Sequence, residues 1–315
     1  MSQTSIENAV TGSVEVGVTD GPANTGAVNP AVGPTAYLAE HPIKIRELEV
    51  LRTERVTPKL VRVVFGGANV AGFESHCSDE HVKLVFPDPE TGRTRAPVQA
   101  GDRLEWPRPF PPTREYTIRR YDAEAGEVVI DFVVHQGGLA SDWAEQAEPG
   151  RTLWVAGPRP SYVVPEEFGF RLVLGDHTAL PAVARILEEL PVTAHARVAV
   201  LIPDAAERQP LAIRDGVEVS WLRLDDPDRT RHSFDAFLAE TTLPADRHTY
   251  LWAAGEAGLM RPVRRWAKEH GFARGNCDIA GYWRRSRGSG LTDRQSESGR
   301  PKHRGMQVSG LDHED

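Results

Sequence analysis

The segment FRLVLGDHTALPAVARILEELPVTAHARVAVLIP, Phe170 to Pro203, sets the character of the second half of this chain. "RLVLG" is a short apolar run of strand length, "ALPAVARILEEL" reads as a helix, and "RVAVLIP" reads as a second strand. Asp176 and Thr178 stand where the first strand ends and the helix begins. Pro181 suits a first helical turn, where no N–H partner is lost. The alternation continues through "VEVSWLRL", "SFDAFLAE", "YLWAAG" and "GLMRPVRRWAKEH". Such a pattern predicts a parallel sheet with helices on its faces. Its strand–turn–helix start follows the logic of a nucleotide site, although a GxGxxG loop is missing.

Upstream the texture changes. From Ile43 to Tyr162 short β-rich runs follow one another between turn residues: "IRELEVLRTERV", "LVRVVFGG", "HVKLVFP", "EYTIRRY", "GEVVIDFVVH" and "TLWVAG". Their density favours a small antiparallel barrel or sandwich. Proline and glycine break both periods in "GPRPSYVVPEEFG", residues 157–169. The expected organisation is a disordered extension over 1–40, an antiparallel β-barrel domain over 41–163, a parallel α/β domain over 164–286 and a flexible tail over 287–315.

Composition narrows the function. The 315 residues carry a formal net charge of −8, which argues against a generic nucleic-acid binder. No apolar run approaches the roughly 18 residues of a membrane span. The two cysteines, Cys77 and Cys277, have no metal-ligand spacing, so neither a disulfide framework nor a metal site is expected. "MSQTSIENAV" has no basic and no apolar region of a secretory signal, so the expected location is the reducing cytoplasm. HExxH, GxSxG and GxxxxGK[ST] are all missing.

Two stretches of the β-rich half carry candidate chemistry. In "REYTIRR", Arg114, Tyr116 and Ile118 share one strand face and Glu115, Thr117 and Arg119 the other. A barrel followed by an α/β domain is a plan that flavin reductases use. A flavin dinucleotide on this strand would need a flat ring, a hydrogen-bonding group near flavin N5 and a cation for the pyrophosphate. Tyr116, Thr117 and Arg114 are suited to these tasks. An ordinary barrel strand with solvated arginines is the other reading. In "DFVVHQGGLASDWAEQAEPG", Asp131 to Gly150, a strand ends at His135, glycines turn the chain and a helix runs over Leu139–Ala147. A strand, a Gly-rich turn and a helix start make an anion site suited to pyrophosphate. An ordinary turn with Ser141 as a cap is the alternative.

These strings, with "LWVAGPRPSYVVP", "GDHTALPAVARILEELP", "LWAAGEA" and "IAGYWRRSRG" in the same order, resemble the siderophore-interacting proteins, FAD-dependent ferric-siderophore reductases related to ferredoxin–NADP reductases. The resemblance spans roughly residues 43–288. It implies FAD on the barrel, with Arg114, Tyr116, Thr117 and Arg119 on the flavin strand and Tyr116 and Thr117 beside the reacting ring. Val134, His135, Gly138, Leu139, Ala140 and Ser141 would form the pyrophosphate turn. Relatives often have a proline before the alanine of that turn, where Leu139 stands here. NAD(P)H would enter a cleft edged by Asp176, Thr178, Ala179, Gly255 and Glu256, with Glu256 able to cap a helix or contact nicotinamide. His177, where relatives carry an acidic residue, reads as a surface or capping residue. Arg208 and Arg214 lie near a plausible 2′-phosphate position.

"GYWRRSRG", Gly281 to Gly288, sets aromatics beside arginines, which suits an anionic iron chelate. Lys83, Trp283, Arg284 and Arg285 are the candidate substrate contacts, with a solvated strand end as the alternative. The implied partners are a ferric siderophore and, as an alternative electron donor, ferredoxin. Two other readings stay open: a siderophore-binding module without reductase activity, and a flavin reductase with another acceptor.

Overall fold

A computed structural model describes residues 33–226 and 233–284. Residues 1–32 of the expected extension over 1–40, the expected tail over 287–315, and Arg285 lie outside the described residues. The first half comprises β1 (Tyr37–Ala39), β2 (Lys44–Thr57), β3 (Leu60–Gly66), β4 (His81–Val85), β5 (Val98–Ala100), β6 (Arg103–Glu105), β7 (Thr113–Thr117), β8 (Arg120–Asp122), β9 (Glu127–Val133), helix α1 (Leu139–Glu145), β10 (Thr152–Gly157) and β11 (Ser161–Val163). Seven strands form one antiparallel sheet in the order β7-β4-β10-β2-β3-β9-β8. β1, from the stretch read as an extension, pairs with β11, and β5 pairs with β6.

This sheet is open, which corrects the expected barrel. "EYTIRRY" is one run in sequence but two strands in space, and they lie at opposite edges of the sheet. The chain crosses between them at Ile118 and Arg119. The Ile118 N–H donates to Glu80 O on one side, and the Arg119 N–H to Val129 O on the other. No ladder joins the two edges. Side chains fill the gap instead, since the Tyr116 ring on β7 packs 4.5 Å from Phe132 on β9.

The second half holds β12 (Phe170–Asp176), α2 (Leu180–Glu188), β13 (His195–Ile202), β14 (Val217–Arg223), α3 (Phe234–Ala239), β15 (Thr249–Glu256), α4 (Met260–Glu269) and β16 (Cys277–Trp283). These five strands are parallel, in the order β14-β13-β12-β15-β16. Alternation along each strand feeds two cores. Val173, Val198 and Trp252 pack with α2, whereas Leu172, Leu174 and Leu251 pack with α3 and α4. The strand order reverses at β12, so the crevice past the ends of β12 and β15 is the switch point at which open α/β sheets bind ligands. Among the described residues no helix is long and apolar enough to cross a membrane.

Candidate active site

The pairing of β7 with β4 places its side chains. Tyr116 lies opposite Val82 and Arg114 opposite Leu84, both core residues, so Tyr116 and Arg114 face the interior of the first lobe. Glu115 and Thr117 face the other way, as strand alternation requires. Arg114 Nη1 donates to the Thr113 carbonyl at 2.8 Å. Lys83, a candidate substrate contact, is instead held by Glu115 at 2.8 Å, with Arg159 at 3.7 Å on the same carboxylate. Arg119 turns to the second lobe and makes a two-pronged ion pair with Glu188 on α2.

The turn after β9 is tightly tied. The Ser141 hydroxyl accepts from His135 N at 3.0 Å and donates to Val133 O at 3.2 Å, so Ser141 bonds inward instead of capping. Gly138 is the N-cap of α1, and a Cβ there would lie 2.4 Å from the His135 ring. The bare glycine makes room for the His135 ring and the Ser141 hydroxyl, and the first-turn N–H groups after it have no acceptor within the helix. Val134 and Ala140 are buried and anchor the turn to the core. Rings connect this turn to β7, running from Tyr116 to Phe132 at 4.5 Å and from Phe132 to Trp143 at 5.8 Å. Phe132 and Trp143 were not legible as site residues, because neither carries a polar motif. The first-turn N–H groups of α1 and the ring and cation on β7 are chemically suited to an FAD.

At the C-terminal edge of the parallel sheet, Asp176 joins most of the candidate nucleotide residues. Its Oδ1 accepts from Thr178 N at 2.8 Å and Thr178 Oγ1 at 2.6 Å. Its Oδ2 accepts from Glu256 N at 2.7 Å and Trp283 Nε1 at 2.9 Å. Gly255 takes φ of 147°, and a Cβ there would fall 2.6 Å from the Asp176 carboxylate. The Glu256 side chain accepts from Gly258 N and Leu259 N in the turn that leads into α4. Ala179 is fully buried in the core and is a packing residue. Arg284 is exposed beyond Trp283.

The two edges meet. Tyr282, on the last strand of the parallel sheet, lies beside Thr117 at the end of β7 and is 40% exposed. Other bonds lock the lobes together. Arg185 Nη1 donates to Ile118 O at 2.9 Å, and Trp252 Nε1 to Asp79 at 3.0 Å. His177 is buried rather than at the surface, with Nε2 3.2 Å from Glu207, whose carboxylate also receives Thr57 Oγ1 and Lys59 N. Burial pulls the His177 imidazole below its ordinary value. Only the meeting of two distant loops creates this environment. Arg214 donates to the carbonyls of Pro191, Val192 and Ala194 before β13, away from the nucleotide edge, and is therefore a loop brace.

An antiparallel lobe with a glycine turn leading into a helix, joined to a parallel sheet of switch-point topology, is the frame of a two-lobed flavin–pyridine-nucleotide oxidoreductase. The family profile "Siderophore-interacting FAD-binding domain" matches residues 49–162 and "Siderophore-interacting protein" matches 171–286. This chain belongs to the siderophore-interacting protein family. It is 38% identical over 245 residues to an NADPH-dependent ferric-chelate reductase of Escherichia coli, covering 76% of this chain and 93% of that protein. It is 29% identical to the ferric vibriobactin reductase ViuB of Vibrio cholerae, covering 77% and 90%. A siderophore utilization protein from T. fusca superposes with a TM-score of 0.73 at 40% identity, over 82% of this chain and 99% of that one. SipS from Aeromonas hydrophila superposes with a TM-score of 0.64 at 28% identity, over 78% and 100%. The chain is an FAD-dependent NAD(P)H oxidoreductase with the ferric-siderophore reductase activity of its family.

Proposed function

We propose that electrons pass from NAD(P)H to a ferric siderophore at the seam where Thr117 meets Tyr282, and that iron leaves as Fe(II). Bound FAD supplies the conversion of a two-electron hydride donor into single electrons for iron. In this reading Tyr116 and Arg114 hold the flavin from the first lobe, the Gly138–Ser141 turn receives its pyrophosphate, and Thr117 offers a hydroxyl to its reacting edge. The nicotinamide enters past Gly255 and Asp176. Arg284, exposed beside Trp283, faces the anionic chelate, and Lys83 contributes less because Glu115 neutralises it. The observation that carries the proposal is the docking of the two lobes beside Thr117, where Arg185 of α2 holds the Ile118 carbonyl and Tyr282, next to the Asp176-bound Trp283, lies alongside.

NADPH is the donor to try first, since the Escherichia coli relative is NADPH-dependent. Ferredoxin stays an alternative, and its support is a likeness of fold alone to a ferredoxin reductase at 17% identity. Hard oxygen ligands hold Fe(III) far more tightly than Fe(II), so reduction releases the metal without breaking the ligand. The purified protein with NADPH, a ferric catecholate or hydroxamate and a ferrous chelator should develop the ferrous colour. Flavin that is reduced with no ferrous product would favour an acceptor other than iron, and ligand quenching without flavin reduction would favour a binding module.

A further inference from the structure

We propose that Asp176 is a positioning residue, whose carboxylate holds the Trp283 indole and thereby sets the Tyr282–Trp283 pair against Thr117. Asp176 is 5% exposed and lies at the reversal of strand order. Its two oxygens take four neutral donors: Thr178 N and Oγ1, Glu256 N, and Trp283 Nε1. Among the described residues no lysine or arginine pairs with it. A buried carboxylate without a counter-ion needs every such donor, so the arrangement is stiff. Trp283 is held twice, since its carbonyl also accepts from Ala257 N at 2.8 Å. The neighbouring Tyr282 lies beside Thr117 of the other lobe, next to the point where Arg185 holds the Ile118 carbonyl at 2.9 Å. A hydrogen bond to Asp176 thus decides where the aromatic end of β16 stands relative to the flavin strand.

The role is not that of a nucleotide ligand, because all four bonds of Asp176 are directed at protein donors. An amide in its place offers one oxygen and one NH2, so D176N sets a donor against the Trp283 and Glu256 donors or against Thr178. W283F removes only the indole N–H and the second ring. If Asp176 acts through Trp283, the two changes share one effect.

This inference rests on the flavin lying at Thr117. The test compares holoprotein of the wild type, D176N, W283F and the double variant by FAD fluorescence and by stopped-flow flavin reduction with NADPH. D176N and W283F should each brighten the flavin and slow its reduction about tenfold, as loss of positioning does. FAD should stay bound, and the double variant should be no worse than the poorer single. Additive losses overturn the proposal, as does a D176N defect with a silent W283F. If D176N does not fold, W283F alone decides, and unchanged fluorescence and rate in that variant overturn it. Failure of the underlying placement has a different signature: T117A would then leave the flavin spectrum untouched.

Discussion

The guanidinium of Arg119 meets the carboxylate of Glu188 through two hydrogen bonds of 2.8 and 2.6 Å, one partner from the crossing between β7 and β8 and the other from α2 of the parallel lobe. The arginine that closes the flavin motif is therefore occupied as a clamp between lobes. Glu188→Gln should cost about 1 kcal/mol and Arg119→Ala about 2 kcal/mol, with the fork geometry favouring the pair and partial exposure limiting it. Both should retain FAD. Thermal unfolding and flavin content check this, and loss of FAD in R119A but not in E188Q would return Arg119 to the cofactor.

Gly255→Ala should be among the most damaging small changes at the nucleotide edge. Its φ of 147° is strained for any side chain, and the added carbon meets Asp176 at 2.6 Å. Strain and overpacking together predict a loss of about 2–5 kcal/mol. Chemical denaturation measures it, and a neutral result would mean that Asp176 can move.

Asp278 should make stability depend on pH. Burial, reinforced by the nearby Asp79, raises its carboxyl from 3.8 to about 6. A carboxyl raised in the fold binds its proton more tightly when folded, so the stability it contributes is present below about pH 4 and lost as pH rises through about 6. Asp278→Asn should thus stabilise the protein by about 2–3 kcal/mol at pH 8 and by little at pH 4. Denaturation curves at the two pH values test the sign. A gain equal at both would remove ionisation as the cause.

Ser141→Ala should loosen the turn after β9. It leaves the part-buried His135 N–H without its acceptor, at a cost of about 1 kcal/mol. The variant should bind FAD about tenfold more weakly if that turn receives the pyrophosphate, since about 1.4 kcal/mol is tenfold. Equilibrium dialysis gives the number, and unchanged affinity would place the phosphates elsewhere.

Lobe texture was legible because it is local. The run from Phe170 to Pro203 displays strand, turn and helix within a few residues each, and the structure holds β12, α2 and β13 there. Face assignment on β7 was legible for the same reason. Closure of the first sheet was not, because whether two edges pair depends on strands far apart in sequence. The crossing at Ile118–Arg119 and the packing of Tyr116 on Phe132 settle it as an open sheet.

Residue roles divide along the same line. The chemistry available at each candidate position, and the order of motifs that marks the family, follow from residue types and spacing along the chain. Occupancy of those groups does not. Lys83 meets Glu115, Arg119 meets Glu188, His177 goes under Glu207, and Asp176 collects donors from residues up to 107 positions away. An ionic or hydrogen-bonding group takes whichever partner folding brings within about 3 Å, and that distance belongs to the packed lobes alone.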